Sequence, residues 1–355
     1  MIATTSQLAE LLPKLKSFDR VAIDTEADSL HSYFEKLCLL QLSFGGKDYL
    51  IDTLAGIDLA PFSAALAGKE IVLQGADFDL RLMRRTFGFI PARVFDTVIA
   101  ARLLGIREFS LAALVQRFFG IELPKGSQKA NWAQRPLPPR MAEYAKNDTH
   151  YLLPLAEKLE AELIERGRME WLRESCDRAI AQASVQRQRD DDELWRVTGA
   201  GTLRGRPAAI LRALWHWRDQ EARAADRPPF HILQNQQLIL AATAFDAGEA
   251  PEFRHFSARR RREFLAAANK AMDSPESEWP EIRRRARLRP TQEMDRRVAE
   301  LRRRRDHAAT QLQIEPAFIA SRGAIEAIAA DENRKEKLLV PWQKKLLGLE
   351  QPVSP

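Results

Sequence analysis

Residues 20–27 read RVAIDTEA, an apolar run that closes on Asp24 and Glu26. A short apolar run of this kind predicts a buried strand. Along a strand, positions i and i+2 face the same way, about 6.6 Å apart. Asp24 and Glu26 would therefore present two carboxylates to one side. Acids that close an otherwise buried strand need a reason to be there. Spacing alone is weak, because Asp77/Asp79, Asp190/Asp192 and Glu276/Glu278 share it and solvation explains most such pairs.

Working outward, KLCLLQLSFGGKDYLID (36–52) reads as two strands around a Gly-Gly turn, and EIVLQGA (70–76) as another buried strand. Helical spacing follows in DFDLRLMRRTFGF (77–89), which Pro91 closes. VFDTVIAARLLG (94–105) predicts a helix with Asp96 as N-cap and Gly105 at its end, and LAALVQRFFG (111–120) predicts the next. Residues 138–167 carry a longer helical pattern in which Pro154 predicts a kink or break. Strands mixed with helices in this order predict an α/β domain, a mixed sheet with helices packed on its faces.

The character changes near Val185. QRQRDDDELW (186–195) leads into GAGTLRGRP (199–207), and everything beyond is helical in pattern. The expected organisation is an α/β domain over 1–185, a linker over 186–202, and all-α units over 203–284 and 290–349. With 355 residues, two or three domains are expected. A hydrophobic share of 45% with 29% charged residues fits a soluble globular protein. No apolar run approaches the roughly 18 residues of a membrane span. The amphipathic N-terminus lacks the pattern of a secretion signal. Cys38 and Cys176 form neither a disulfide framework nor a zinc quartet, so a cytoplasmic location is expected. Without a heptad seam, a monomer is the default, and no protein partner is evident.

The net charge of +6 suits a polyanionic partner. Arg283, Arg284, Arg285, Arg287, Arg289, Arg296, Arg297 and the run Arg302–Arg305 would make a cationic stripe able to hold phosphates, with a solvated helix face as the plainer explanation.

Two further acidic positions join the first pair. Asp79 falls at the start of a helix, where its charge suits the exposed amides, and Asp77 competes with it as the cap. Tyr144 and Asp148 in EYAKNDTHYLL (143–153) lie one helical turn apart on one face, about 6 Å from each other. Four carboxylates in one site would repel one another, and two divalent cations would relieve that repulsion. Oxygen-only ligands favour Mg²⁺ or Mn²⁺ over zinc, and the six histidines show no paired metal spacing.

In order and spacing these segments resemble the DEDD family of 3′–5′ exonucleases, in its tyrosine-containing branch. AIDTEAD (22–28), LQGADFDLRLM (73–83) and EYAKNDTHYLLPL (143–155) are similar to its three motifs, and KGSQKANWAQRPL (125–137) to the segment before the third. The helical units are similar to the HRDC domain, a nucleic-acid-binding module, through RPPFHIL (227–233) and VPWQKKLLG (340–348). The whole order resembles the ribonuclease D family. This resemblance implies a ribonuclease H-like sheet and release of nucleoside 5′-monophosphates from 3′ ends, as in maturation of transfer RNA precursors. It also implies that Asp24 bridges two metals, that Glu26 and Asp148 complete one coordination sphere, that Asp79 holds the second metal, and that Tyr144 orients the attacking water. Thr25, Phe78, Trp132, Arg302 and Arg303 are the expected nucleic-acid contacts, with core packing the competing role for Phe78 and Trp132. DNA stands as the alternative substrate, and a non-catalytic nucleic-acid-binding protein as the alternative class.

Overall fold

The computed structural model describes residues 1–124, 126–185, 193–280 and 291–350. The amphipathic N-terminus forms α1 (Thr5–Lys16), capped by the Thr4 hydroxyl, and the strand that follows is β1 (Arg20–Ala27). β2 (Leu37–Phe44) and β3 (Lys47–Asp52) form the expected hairpin. Gly45 and Gly46 take φ of 56° and 71°, the paired positive values a two-residue turn demands. A Cβ on Gly45 would also lie 2.5 Å from the Phe18 ring. After α2 (Ala60–Leu66) come β4 (Glu70–Leu73) and α3 (Asp77–Phe87).

A fifth strand, β5 (Arg93–Asp96), precedes α4 (Thr97–Leu103). The helix expected over 94–105 thus starts only at Thr97, behind a short strand. Asp96 does cap that helix, accepting from the Val98 and Ile99 amides, but Arg93–Asp96 pair in parallel with β4 instead of leading straight into it. The sheet order is β3-β2-β1-β4-β5, antiparallel across β3, β2 and β1 and parallel from β1 to β5. β1 is thus central, which buries its apolar residues and leaves its acids at the end of the strand.

Helix α5 (Leu111–Phe119) is capped by Ser110. The long helical pattern divides into α6 (Pro139–His150) and α7 (Leu152–Glu165), followed by α8 (Met169–Ser184). The break falls at Tyr151, because the Pro154 ring cannot coexist with a continuous helix through the carbonyl four residues back. Pro154 itself sits in the first turn of α7, where its missing N–H costs nothing.

By contact the chain forms two units. Residues 28–36 and 193–280 make one, with α9 (Arg206–Ala224), α10 (Pro229–Ile232), α11 (Asn235–Asp246) and α12 (Ala258–Met272). Its core gathers Leu214, Trp217, Leu238, Phe245, Phe256 and Phe264, and Trp215 is only partly buried. Trp195 and Ala200, inside the stretch expected as a linker, also lie in that core, and residues 186–192 fall outside the described residues. The buried Glu221 there is matched by Arg259 and Arg260, each at 2.8 Å.

The remaining helices, α13 (Gln292–Leu312), α14 (Pro316–Ile319), α15 (Arg322–Ala330), α16 (Lys335–Leu338) and α17 (Pro341–Leu346), belong to the first unit. They share one apolar core with the α/β elements, in which Leu301, Ile325, Ile328 and Trp342 join Leu103, Leu172 and Cys176. Trp342 stacks on Trp171 with ring centroids 5.1 Å apart and donates its indole N–H to Ser175 at 3.0 Å.

Gly105 marks how closely these parts approach. Its φ is +78°, and a Cβ there would stand 2.2 Å from the Gln313 carbonyl oxygen. Neither the conformation nor a backbone clash is relieved by side-chain motion. Gly105→Ala is expected to destabilise the folded chain by about 2–3 kcal/mol. Denaturant melts of the two proteins check this; equal midpoints would show that the approach is not tight in solution.

Candidate active site

Asp24 and Glu26 leave β1 on the same face, as the two-residue period requires. Helix α6 covers that face. Leu39, on β2 opposite Glu26, packs with Met141 and Ala145 of α6, and the Ser43 hydroxyl meets that of Thr149 at 2.7 Å. Asp148 and Tyr144, one turn apart on α6, are thereby lowered toward the strand acids. Asp24, Glu26 and Asp148 each offer a carboxylate oxygen within 4.8 Å of the other two.

Asp79 arrives from α3. It sits in the first turn, and neither it nor Asp77 caps the helix; Asp77 instead pairs with Arg81 at 2.6 Å. Asp96 instead accepts from Gly75 N at 3.1 Å and Ala76 N at 2.8 Å, just ahead of α3, while also capping α4. One buried carboxylate thus fixes two helix starts, and with them the place of Asp79. The Thr25 hydroxyl donates to Asp79 in a short hydrogen bond.

The electrostatics follow from crowding. Burial, then the charges of Asp79, Asp148 and Glu26, holds the Asp24 carboxyl well above its ordinary value. Burial and the neighbouring Asp148 and Asp79 push Glu26 up to about 9. Asp148 rises to about 7 through burial and the charge of Asp79. Burial raises Asp79 to about 7 despite the hydrogen bond from Thr25. Tyr144 is raised as well, by burial and by the charges of Asp148 and Glu26, which keeps its phenol protonated. The donors are all oxygens, which suits a hard divalent cation.

The expected nucleic-acid contacts separate. Phe78 is 42% exposed beside Asp79, so its ring is not a core residue. Trp132 is 1% exposed and packs against Tyr144 with centroids 6.2 Å apart, so core packing describes it and stacking on a base does not. Thr25 is buried, and its hydroxyl is spent on Asp79. Arg302 pairs with Glu326 at 3.3 Å, and Arg303 with Glu300 at 2.9 Å. Arg297, Arg304 and Arg305 likewise face Glu332, Glu300 and Asp306. The arginines of α13 are therefore matched by acids: Glu300 and Asp306 on the same helix, and Glu326 and Glu332 from later segments, whose approach the linear sequence did not reveal. Arg283–Arg289 lie outside the described residues.

Two neighbours of the site went unread. The Gln128 side chain lies close enough to Tyr144 to offset part of the rise of its phenol. Gln41 stands opposite Asp24 across β1 and β2. A lone amide inside the apolar run LCLLQLSF was the available signal.

A family model described as a 3′–5′ exonuclease matches residues 1–164, and one for the HRDC domain matches residues 208–245. A curated ribonuclease D from Pseudomonas paraeruginosa is 31% identical over 290 residues, covering 79% of this chain and 76% of that one. The chain belongs to the ribonuclease D family. It is accordingly a 3′–5′ exonuclease, of a family that depends on divalent metal. Ribonuclease D of Haemophilus influenzae is 32% identical over 242 residues, 67% of this chain and 61% of that relative. The crystal structure of Escherichia coli RNase D superposes with a TM-score of 0.72 at 27% identity, over 98% of this chain and 96% of that one. Among the described residues, no helix of this ribonuclease D family member is long and apolar enough to cross a membrane.

Acids raised in the folded state give a definite sign. Their protons favour folding below the ordinary carboxylate pKa, and that advantage is lost as pH rises through about 7 for Asp79 and Asp148 and about 9 for Glu26. Metal-free protein should therefore melt at falling temperatures between about pH 5 and pH 9, while added Mg²⁺ or Mn²⁺ should raise the melting temperature far more at about pH 8.5 than at about pH 5.5. Thermal melts with chelator and with metal test this. A metal-induced shift that does not depend on pH would sink it.

Proposed function

We propose that the chain removes nucleoside 5′-monophosphates from RNA 3′ ends by hydrolysis at a pair of divalent cations, Mg²⁺ or Mn²⁺. The supporting observation is the convergence of carboxylates from β1, α3 and α6, three of them with oxygens within 4.8 Å of one another. Asp24 would hold both cations, Glu26 and Asp148 one of them, and Asp79 the other. Bound there, the cations would supply Lewis-acid polarisation of the phosphodiester and activation of water. Tyr144, kept protonated by its surroundings, orients the attacking water from one turn along α6. Thr25 and Asp96 hold Asp79 in place, and Trp132 backs Tyr144. Phe78, exposed beside Asp79, would stack on a terminal base.

RNA is proposed as substrate because the Escherichia coli relative is described as an exoribonuclease involved in structured RNA processing. Transfer RNA precursors are the proposed physiological class, with the HRDC unit serving substrate capture. DNA is the alternative, distinguished by dependence on the 2′-hydroxyl.

RNA and DNA oligonucleotides of one sequence, incubated with Mg²⁺ or Mn²⁺, decide the substrate; faster digestion of the DNA would overturn the RNA assignment. Asp24→Asn should cut turnover by about 10²–10³-fold or more while oligonucleotide binding persists. Normal digestion by that variant would refute the site. Phe78→Ala should raise KM about 5–150-fold, the range of one base–aromatic stack, with kcat and melting temperature unchanged. Steady-state kinetics on a single-stranded oligonucleotide checks this, and an unaltered KM would remove Phe78 from the substrate path.

A further inference from the structure

Gln41 is fully buried at 0% exposure, and neither its amide nitrogen nor its amide oxygen has a hydrogen-bond partner among the described residues. An unpartnered polar group in such a place weakens the fold. Nothing in the packing of β2 demands it, since Leu37, Leu39, Leu40 and Leu42 fill the same strand and leucine would serve. Its neighbour Ser43 is fully provided for by Asp48 and Thr149. The orphaned amide is therefore particular to position 41.

Its location is defined by register. Gln41 pairs directly with Asp24 across the antiparallel β1–β2 ladder, so the two side chains leave the sheet on one face. Their Cβ atoms are then roughly 4.5–5.5 Å apart, within reach of the rotatable bonds of glutamine. Leu39 and Ser43, on either side of Gln41 in that face, both touch α6, so Gln41 lies beneath the helix that carries Asp148 and Tyr144. Like the Thr25 hydroxyl that donates to Asp79, a neutral amide can donate to a carboxylate without adding charge to a crowded acidic site.

We infer that Gln41 is a positioning residue for Asp24: its amide N–H donates to the ionised Asp24 carboxylate, directly or through one water, and orients it for cation binding. The inference rests on Asp24 being a metal ligand, as proposed above. Partners of this kind orient ligands, and their loss typically weakens metal affinity 10–100-fold.

The test uses the full chain and two variants, Gln41→Leu and Gln41→Met, the second unbranched like glutamine. Calorimetric titration with Mn²⁺ should show Kd raised about tenfold or more in both. The metal-free melting temperature should stay level or rise, because an unsatisfied polar group has been removed. Unchanged Mn²⁺ affinity overturns the inference. So does a lowered metal-free melting temperature, or failure of both variants to fold, since either would mark Gln41 as a packing residue. Asp24→Asn, titrated in parallel, separates the two readings. If it too binds Mn²⁺ normally, the metal site itself is misassigned; if it alone loses binding, only the role of Gln41 fails.

Discussion

Carboxylate oxygens of Asp24, Glu26 and Asp148 lie within 4.8 Å of one another, and one like-charge pair at 4 Å costs roughly 4 kcal/mol even at an effective dielectric of 20. The fold must hold these groups together against that repulsion. β1 does so by being central, anchored by β2 on one side and β4 on the other. α6 contributes Asp148 from above, braced by Thr149 on Ser43 and by Trp132 behind Tyr144. Asp79 is held at one remove through Thr25 and through the Gly75 and Ala76 amides that Asp96 holds ahead of α3. Without cations the cluster relaxes by retaining protons, which is what raised carboxyl pKa values express.

Cation affinity and structural strain are therefore one quantity seen from two sides. A looser arrangement would cost the apo fold less and would also hold a cation less firmly. That trade places the demand for rigidity on residues that touch no substrate: the buried Asp96, the Gly45–Gly46 turn that sets the β2–β3 register, and the break at Tyr151 that lets α6 and α7 take separate directions.

Much of this was legible in local pattern. The shared face of Asp24 and Glu26 follows from the period of two, the turn of Tyr144 above Asp148 from the helical period, and the hairpin from Gly45–Gly46. What escaped reading depended on partners remote in sequence. β5 has four residues, and Asp96 carries such a plain capping signal for α4 that the strand before it was absorbed into the helix. Only pairing with β4 makes it a strand. β2 is buried along its whole length, so no alternation showed that Gln41 shares a face with Asp24. Trp132 looked equally suited to a base or a core, and its burial is decided by Leu39, Leu50 and Met141 from other elements.

The arginines of α13 carry the same lesson into electrostatics. Read along the chain, Arg302–Arg305 form a cationic run able to follow a phosphate backbone. In the fold they meet Glu300, Asp306 and Glu326, and Arg304 and Arg305 also donate to the carbonyls of Leu347 and Ala320. Exposed pairs of this sort contribute little stability each, yet they matter for binding. An arginine that already faces a carboxylate gains less from a phosphate, because it must give up one partner to take the other. Part of α13 is moreover committed to the apolar core through Leu301, Ala308 and Ala309. Its charge therefore works mainly as a strut between helices of the first unit, and the net positive charge of the chain overstates what this helix has left to offer a nucleic acid.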